Sequence, residues 1–194
     1  ETVKEASFQY TLPAGVEEVR LSFGIPYQEQ NLKEFLAQYK GSPHLAVQEL
    51  CQSNHGRRVE RLHVGRLDGD PLYRVLVTAR HHACEAMADY VLEGLLQSVL
   101  ADNEDGYWFR RNVEVLAIPF MDKDGVEEGD QGKNRKPHDH NRDYIGPSVH
   151  ASVAALRTFV PNWSNDRLKA AFDLHCPWIR GAYNEVIYLV GSED

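Results

Sequence analysis

The sequence predicts an α/β domain, a mixed and largely parallel sheet flanked by helices. Three observations predict it. Strand-like apolar stretches alternate with helix-like stripes along the chain, the ordering typical of α/β proteins. Val113–Ile118 is a nearly continuous apolar run, suited to a strand buried on both faces. The segments richest in chemical character each follow an expected strand, which gathers them at the sheet edge where open α/β sheets bind ligands.

Each element has its own warrant. Phe8, Tyr10 and Leu12 alternate, as do Val19, Leu21, Phe23 and Ile25, with Pro13-Ala14-Gly15 between them. This period of two reads as two strands and a turn. Residues 1–26 are expected to be the end of a β module or edge strands, and residues 27–194 the main domain. Helices are expected over Glu29–Tyr39 and His44–Ser53. Strands follow at Val59–Val64 and Leu72–Thr78, joined by Asp68-Gly69-Asp70-Pro71. Met87, Val91, Leu95 and Val99 recur every four residues, with Ala88, Leu92 and Leu96 alongside. That wide stripe predicts a long helix from Glu85 to Leu100, packed against a core. After the Val113–Ile118 strand comes a polar stretch, Asp122–Tyr144, and a loop of that length in a compact domain is usually functional. Helical patterns over Val149–Phe159 and Asp166–Ala170 and strands at Ala171–Leu174 and Val186–Val190 complete the expectation. No internal repeat is evident.

Composition narrows the function classes. The 194 residues are 42% hydrophobic and 26% charged, ordinary for one domain with its own core. No apolar run approaches the ~18 residues a membrane helix needs, so no membrane partner is expected. The formal net charge of −8 argues against a nucleic-acid partner, which calls for a basic face. The one basic cluster, Lys133, Arg135, Lys136 and Arg142, suits a small anionic group. Three cysteines do not make a disulfide framework. Cys84 and Cys176 each stand beside a candidate metal ligand; the plain reading is two small buried side chains, the sharper one that folding brings them together. The compartment stays open, with the cytoplasm favoured over others.

His82-Ala83-Cys84-Glu85, followed much later by Asp173-Leu174-His175, offers two imidazoles and a carboxylate. Catalytic zinc takes three such protein ligands and keeps a fourth position open. His82 and Glu85 sit three apart at a strand-to-helix junction, close enough to face one way. His81 competes with His82, because Glu85 lies four residues after it, and spacing alone does not choose between them.

These residues resemble the zinc metallocarboxypeptidase superfamily, of the carboxypeptidase A and cytosolic carboxypeptidase kind. Ala79-Arg80-His81-His82-Ala83-Cys84-Glu85 is similar to the family's A-R-x-H-x-x-E zinc motif. Asp124-Gly125-Val126 resembles its D-G-V. Asp139-His140-Asn141-Arg142-Asp143-Tyr144 resembles D-x-N-R-x-[WY], and Asp173-Leu174-His175 the strand carrying the last ligand. Phe23-Gly24-Ile25-Pro26-Tyr27 looks like the entry to the catalytic domain in the cytosolic branch. The resemblance implies one zinc ion held by His82, Glu85 and His175. It implies Asn141 and Arg142 as the grip on a peptide's free C-terminal carboxylate, which Arg matches with a planar fork. It implies Arg135 as the catalytic cation at the oxyanion and Asp139 as the outer partner of a ligating imidazole. The implied activity is hydrolysis of the C-terminal peptide bond of a peptide or protein substrate.

Two departures stand out. Arg135 lies six residues before Asn141, a spacing often longer in the family. The family's general-base Glu lies well beyond the last ligand, whereas 19 residues follow His175 here. Glu185 and Glu193 come too early to match it, so the chain reads as a domain incomplete at its C-terminus. The alternatives are a zinc deacylase of the aspartoacylase or desuccinylase type and a non-catalytic zinc- or peptide-binding remnant.

Overall fold

The computed structural model describes residues 9–19, 21–22, 24–177, 181–182 and 186–191. In chain order its elements are α1 (Glu29–Ala37), β1 (Leu45–Gln52), β2 (Arg58–Gly65), β3 (Tyr73–Ala79), α2 (Met87–Leu100), α3 (Glu104–Asn112), β4 (Val113–Ile118), α4 (Lys123–Glu128), α5 (Ala151–Ser164) and β5 (Leu168–Leu174). The five strands form one mixed sheet in the order β1-β2-β4-β3-β5. The β1–β2 and β2–β4 pairs are antiparallel, and β3 pairs in parallel with β4 on one side and β5 on the other.

Strand β4 explains the layering. All six of its residues are buried, because its two faces meet two different helical layers. Val113, Val115 and Ala117 join a cluster with Leu32 and Phe35 of α1 and Leu92, Leu96 and Val99 of α2. Leu116 and Ile118 join Val153, Leu156 and Trp163 of α5 on the other side. Alternation by two along a strand sends successive side chains to opposite faces, so a run with no polar face demands cover on both.

The expected helix over His44–Ser53 is instead strand β1. Its apolar residues come in two clusters, Leu45-Ala46-Val47 and Leu50-Cys51, whose separation mimics helical spacing. The register with β2 slips between Glu49 and Cys51. An irregularity of this kind shifts which residues face inward, and pairing along β2 overrides local propensity. This hairpin also adds antiparallel pairs, which makes the sheet less parallel than expected. The expected helix at Asp166–Ala170 is likewise not formed: Asp166 stands in a turn and Leu168–Ala170 open β5, held by its pairing with β3. Helix α3 was not anticipated, since only Gly106 and Arg110 of it are buried and no apolar stripe announces it. Its signals are polar: Asn103 Oδ1 accepts from Gly106 N at 2.9 Å, and acidic and basic residues occupy its first and last turns, complementing the helix dipole.

Among the described residues before Glu29 there is no strand, and Tyr10, Leu12, Leu21 and Ile25 are exposed. Alternation without a partner to pair with builds no sheet. Phe8 and Phe23 lie outside the described residues. Residues 186–190 are also exposed and without strand structure. In α2 the buried line is Ala88, Leu92, Leu96 and Val99, while Met87 and Val91 face solvent. No described helix is long and apolar enough to cross a membrane.

Candidate metal centre

The parallel strands β4, β3 and β5 lie side by side, so their carboxyl ends share one edge. Thr78 of β3 is in register with Ile118 of β4 and with Asp173 of β5. Beyond that register the chain delivers His81 and His82 from β3, Asp122 from β4 and His175 from β5. Sheet geometry thereby brings together residues some ninety positions apart.

The turn from β3 into α2 is fixed by Arg80. Its φ of 59° lies in the left-handed region, which costs a non-glycine residue ~1–3 kcal/mol. Its buried guanidinium more than offsets this. Nη1 donates to Tyr27 O at 2.9 Å and to Asp89 Oδ2 at 2.5 Å, Nε donates to Ala83 O at 2.9 Å, and Nη2 also bonds Ala83 O. Hydrogen bonds to charged groups are each worth ~1.5–3 kcal/mol. The outcome is a sharp corner that turns His81 and His82 to different sides.

His82 faces Glu85, with Nδ1 3.1 Å from Glu85 Oε1. His175 faces the same carboxylate from β5, with Nδ1 2.8 Å from Glu85 Oε2. Glu85 is 2% exposed and also accepts from Cys176 N at 3.0 Å and from Lys133 Nζ at 2.8 Å. Burial pushes the Glu85 carboxyl up, but the bonds from His175, Lys133 and Cys176 N outweigh it and bring it down to about 2. Burial pulls the other way on His175, and its bonds to Asp173 and Glu85 raise it to about 9. Burial holds His82 below the usual imidazole range.

His81 turns away from this carboxylate. It is 2% exposed, with Nδ1 2.7 Å from Asp173 Oδ1 and Nε2 2.7 Å from the Tyr144 hydroxyl. His82 is thus the ring that faces Glu85, whereas His81 lies with Asp173 and His175, a second group whose ligand atoms stand within 4.8 Å of one another. Asp173 is held well below the usual carboxylate range: burial opposes ionisation, but bonds from His175 and His81 prevail.

The polar stretch after β4 is more ordered than a loop, containing α4 and a 3-10 turn at His140–Arg142. Gly132, at φ +89°, passes against His82 and Ala83 so closely that a Cβ would collide with their backbone. Arg135 makes a two-pronged bond to Asp122, Nε to Oδ2 at 3.0 Å and Nη2 to Oδ1 at 2.8 Å, and pairs with Asp130 at 2.8 Å. Asp139 caps the 3-10 turn by accepting from Arg142 N at 3.2 Å, and its Oδ1 lies 3.9 Å from His82 Nε2. Asn141 Nδ2 donates to Asp173 Oδ2 at 2.9 Å. Arg142 is exposed. Asp143 is fully buried and accepts from Val149 N, His150 N and His138, which anchors the end of this segment.

Residues 30–174 match the family model described as Zinc carboxypeptidase. The chain belongs to the zinc carboxypeptidase family. Among relatives it is similar to Cytosolic carboxypeptidase 2 of Danio rerio, 27% identical over 128 residues, covering 61% of this chain and 18% of that protein. Cytosolic carboxypeptidase 6 of Caenorhabditis elegans is 23% identical over 158 residues, covering 76% and 34%. A metallo-carboxypeptidase from Burkholderia cenocepacia superposes with a TM-score of 0.66 and 25% identity, covering 82% of this chain and 42% of that one. The chain thus spans between about a fifth and two fifths of the length of these proteins.

The family's zinc dependence can be tested against the residues present. His82, Glu85 and His175 offer ligand atoms within 4.8 Å of one another. A tetrahedral zinc with bonds of ~2.0–2.1 Å sets its ligand atoms roughly 3.3 Å apart. The 2.8 and 3.1 Å separations around Glu85 need only a small opening. Lys133 placing its ammonium on Glu85 shows that this pocket already attracts a cation. The donor set fits the metal of a zinc carboxypeptidase.

The sequence gives Asp122 and Tyr144 no role of their own here, His81 only that of a rival ligand to His82, and Lys133 only a place in the basic cluster. The signal for Asp122 was its place at the end of β4, and for Tyr144 its place in the D-x-N-R-x-[WY] match. The three thiols are unpaired, so no Cys84–Cys176 bridge forms. Glu185 and Glu193 lie outside the described residues.

Proposed function

We propose that the protein containing this chain is a zinc-dependent metallocarboxypeptidase, hydrolysing the C-terminal peptide bond of peptides or proteins. One observation carries this reading: both His82 Nδ1 and His175 Nδ1 are aimed at the buried Glu85 carboxylate, beside the segment bearing Asn141 and Arg142. His82, Glu85 and His175 would hold the metal. When bound, zinc would supply the Lewis acid that polarises the scissile carbonyl and acidifies a water.

The remaining work falls to the chain's own groups. Arg142, exposed and with no hydrogen bond or ion pair from its guanidinium to the described residues, is available to a substrate carboxylate. Asn141 adds a neutral donor beside it, and together they would set the cleavage register from the chain end. Arg135 would stabilise the oxyanion, a contribution of ~3–4 kcal/mol for one preorganised donor. In this structure Asp122 and Asp130 hold it, so it must release one partner or reach with a remaining N–H. Asp139 would orient His82 through Nε2, closing a gap of 3.9 Å. The general base is assigned to no residue of this chain. The substrate would be a peptide or protein C-terminus, with neither nucleic acid nor membrane as a partner. Its relatives' names support a cytosolic setting.

The test begins with zinc content by elemental mass spectrometry, with His82→Ala as control. One zinc per chain, lost in the control, is the expected result, and a metal-free parent would reject the reading. Binding of a free-acid peptide and of its C-terminal amide should then differ by at least ~10-fold, since an Arg–carboxylate pair is among the strong hydrogen bonds. Equal binding would remove the carboxypeptidase assignment.

A further inference from the structure

Asp173 is used from both sides. Its Oδ1 accepts from Thr78 Oγ1 at 2.9 Å and from His81 Nδ1 at 2.7 Å. Its Oδ2 accepts from His175 Nε2 at 2.7 Å and from Asn141 Nδ2 at 2.9 Å. Four donors, two on each oxygen, fill the capacity of a carboxylate. Two of them belong to different machinery: His175 is a candidate metal ligand, and Asn141 belongs to the segment that would grip a chain end.

Each bond has a directional consequence. With Nε2–H given to Asp173, Nδ1 is the nitrogen that faces Glu85, and it is Nδ1 that would exchange its proton for a metal, the tautomer a ligating imidazole requires. A carboxylate facing Asn141 forces its nitrogen inward, because the flipped amide would set oxygen against oxygen. The Asn141 Oδ1 is buried without a partner, so this orientation is held at a cost that Asp173 must offset. The second N–H of Asn141 then stays free for a ligand carboxylate. His81 secures Asp173 in turn. With Nδ1–H given to Asp173, its Nε2 accepts from Tyr144 Oη, and Tyr144 closes the same polar segment that carries Asn141 and Arg142.

We propose that Asp173, locked by His81, is a positioning residue shared by the metal centre and the chain-end clamp, so that one carboxylate sets both the ligating tautomer of His175 and the amide orientation of Asn141. This deepens the carboxypeptidase reading and rests on it. Asp139, expected as the outer partner of an imidazole, stands 3.9 Å from His82, whereas Asp173 already bonds His175.

The experiment uses the full chain and Asp173→Asn, which keeps the shape but loses the charge and turns one of the two acceptor oxygens into a donor. Zinc affinity is read by competition with a chromophoric chelator, and the ligand field by the visible absorption of the Co²⁺ form. The clamp is read by binding of a short peptide as free acid against its C-terminal amide. Asp173→Asn should weaken zinc by ~10–100-fold, alter the Co²⁺ band and lower the acid-over-amide preference by about 10-fold, the scale of one charge-assisted bond. If Asp173→Asn fails to fold, His81→Phe carries the test. It keeps a ring in place and should still weaken zinc severalfold, although His81 is no ligand. Unchanged zinc affinity and Co²⁺ band would overturn the proposal. So would weakened zinc with the acid preference intact, because the role would then not be shared. A parent that binds zinc but takes acid and amide equally overturns the carboxypeptidase reading and the shared role with it. Failure of Asp173→Asn to shift either readout overturns the shared role alone.

Discussion

The two halves of the candidate site are built differently. The ligand half stands on strand ends and a helix start: His82 and Glu85 flank the β3–α2 corner and His175 ends β5, all placed by the register of three parallel strands. The clamp half, Lys133 to Tyr144, hangs on a segment fastened by individual carboxylates. Asp122 holds Arg135, Asp139 caps Arg142 and Asp143 ties down Val149 and His150. A sheet tolerates the loss of one contact because many backbone bonds share the load. A segment pinned by single side chains does not. Asp173 and its partner His81 apart, which serve both halves, the ligand half should therefore resist outer substitutions that disable the clamp, and the clamp should fail one anchor at a time.

The sharpest way to break that contrast is Gly132→Ala. Gly132 is where the clamp segment touches the ligand corner, and both its φ and the His82–Ala83 backbone exclude a Cβ. Destabilisation of ~1–3 kcal/mol is expected, read as a lower Tm together with lower zinc stoichiometry. Loss of peptide binding with zinc retained would mean that the halves are independent at this contact. Next in size is Asp122→Asn. Asparagine can still cap α4 but cannot brace Arg135 with two charged bonds. Peptide affinity should fall by ~10-fold while zinc stoichiometry holds at the parent value. A parallel loss of zinc would erase the distinction drawn here.

Lys133→Met addresses a clamp residue that bonds the Glu85 carboxylate directly. Removing an ammonium 2.8 Å from Glu85 Oε1 relieves like-charge competition, so zinc affinity should rise, by roughly 10-fold given partial screening. A fall would show instead that Lys133 supports Glu85 in the metal-bound state. The smallest effect is on pH. In the metal-free chain the folded His175 titrates at about 9, above the ordinary imidazole value. Its contribution to stability is therefore complete below pH ~6.5 and is lost as pH rises through about 9. Glu85, brought down to about 2, contributes above its ordinary value and loses that only in strong acid. The metal-free Tm should thus drop by a few degrees between pH 7 and 10. Zinc held as proposed should abolish the drop, since the metal would take the place of the proton on His175. An unchanged profile on adding zinc would separate His175 from the metal.

The same contrast explains what the sequence revealed. That His82, Glu85 and His175 come together was legible because strand ends are legible: β2, β3 and β4 follow apolar runs, and the three residues stand just past two strand ends. The segment over Asp122–Tyr144 showed its motif but not its internal structure, because α4 and the 3-10 turn rest on polar caps from Asp122 and Asp139 rather than on an apolar stripe. Strand β1 was misread because its register slip disguised period two as a helical pattern. The N-terminal alternation was misread because periodicity reports a side chain's phase and not the presence of a neighbour. His81 was invisible as a partner of Asp173, since only the β3–β5 register brings them together.

Arg80 has a consequence for anyone wishing to move this corner into another scaffold. Its guanidinium spends its bonds on Tyr27, from before the first helix, and on Asp89, inside α2, as well as on Ala83 next door. The six residues from Arg80 to Glu85 are therefore not a portable cassette. Copied alone, they would leave a buried cation without its counter-charge, a loss of ~3–5 kcal/mol, and a backbone with no reason to hold its left-handed bend. A transplant would need all three pieces, drawn from both ends of a sixty-residue stretch, which makes the corner a property of the domain and not of its motif.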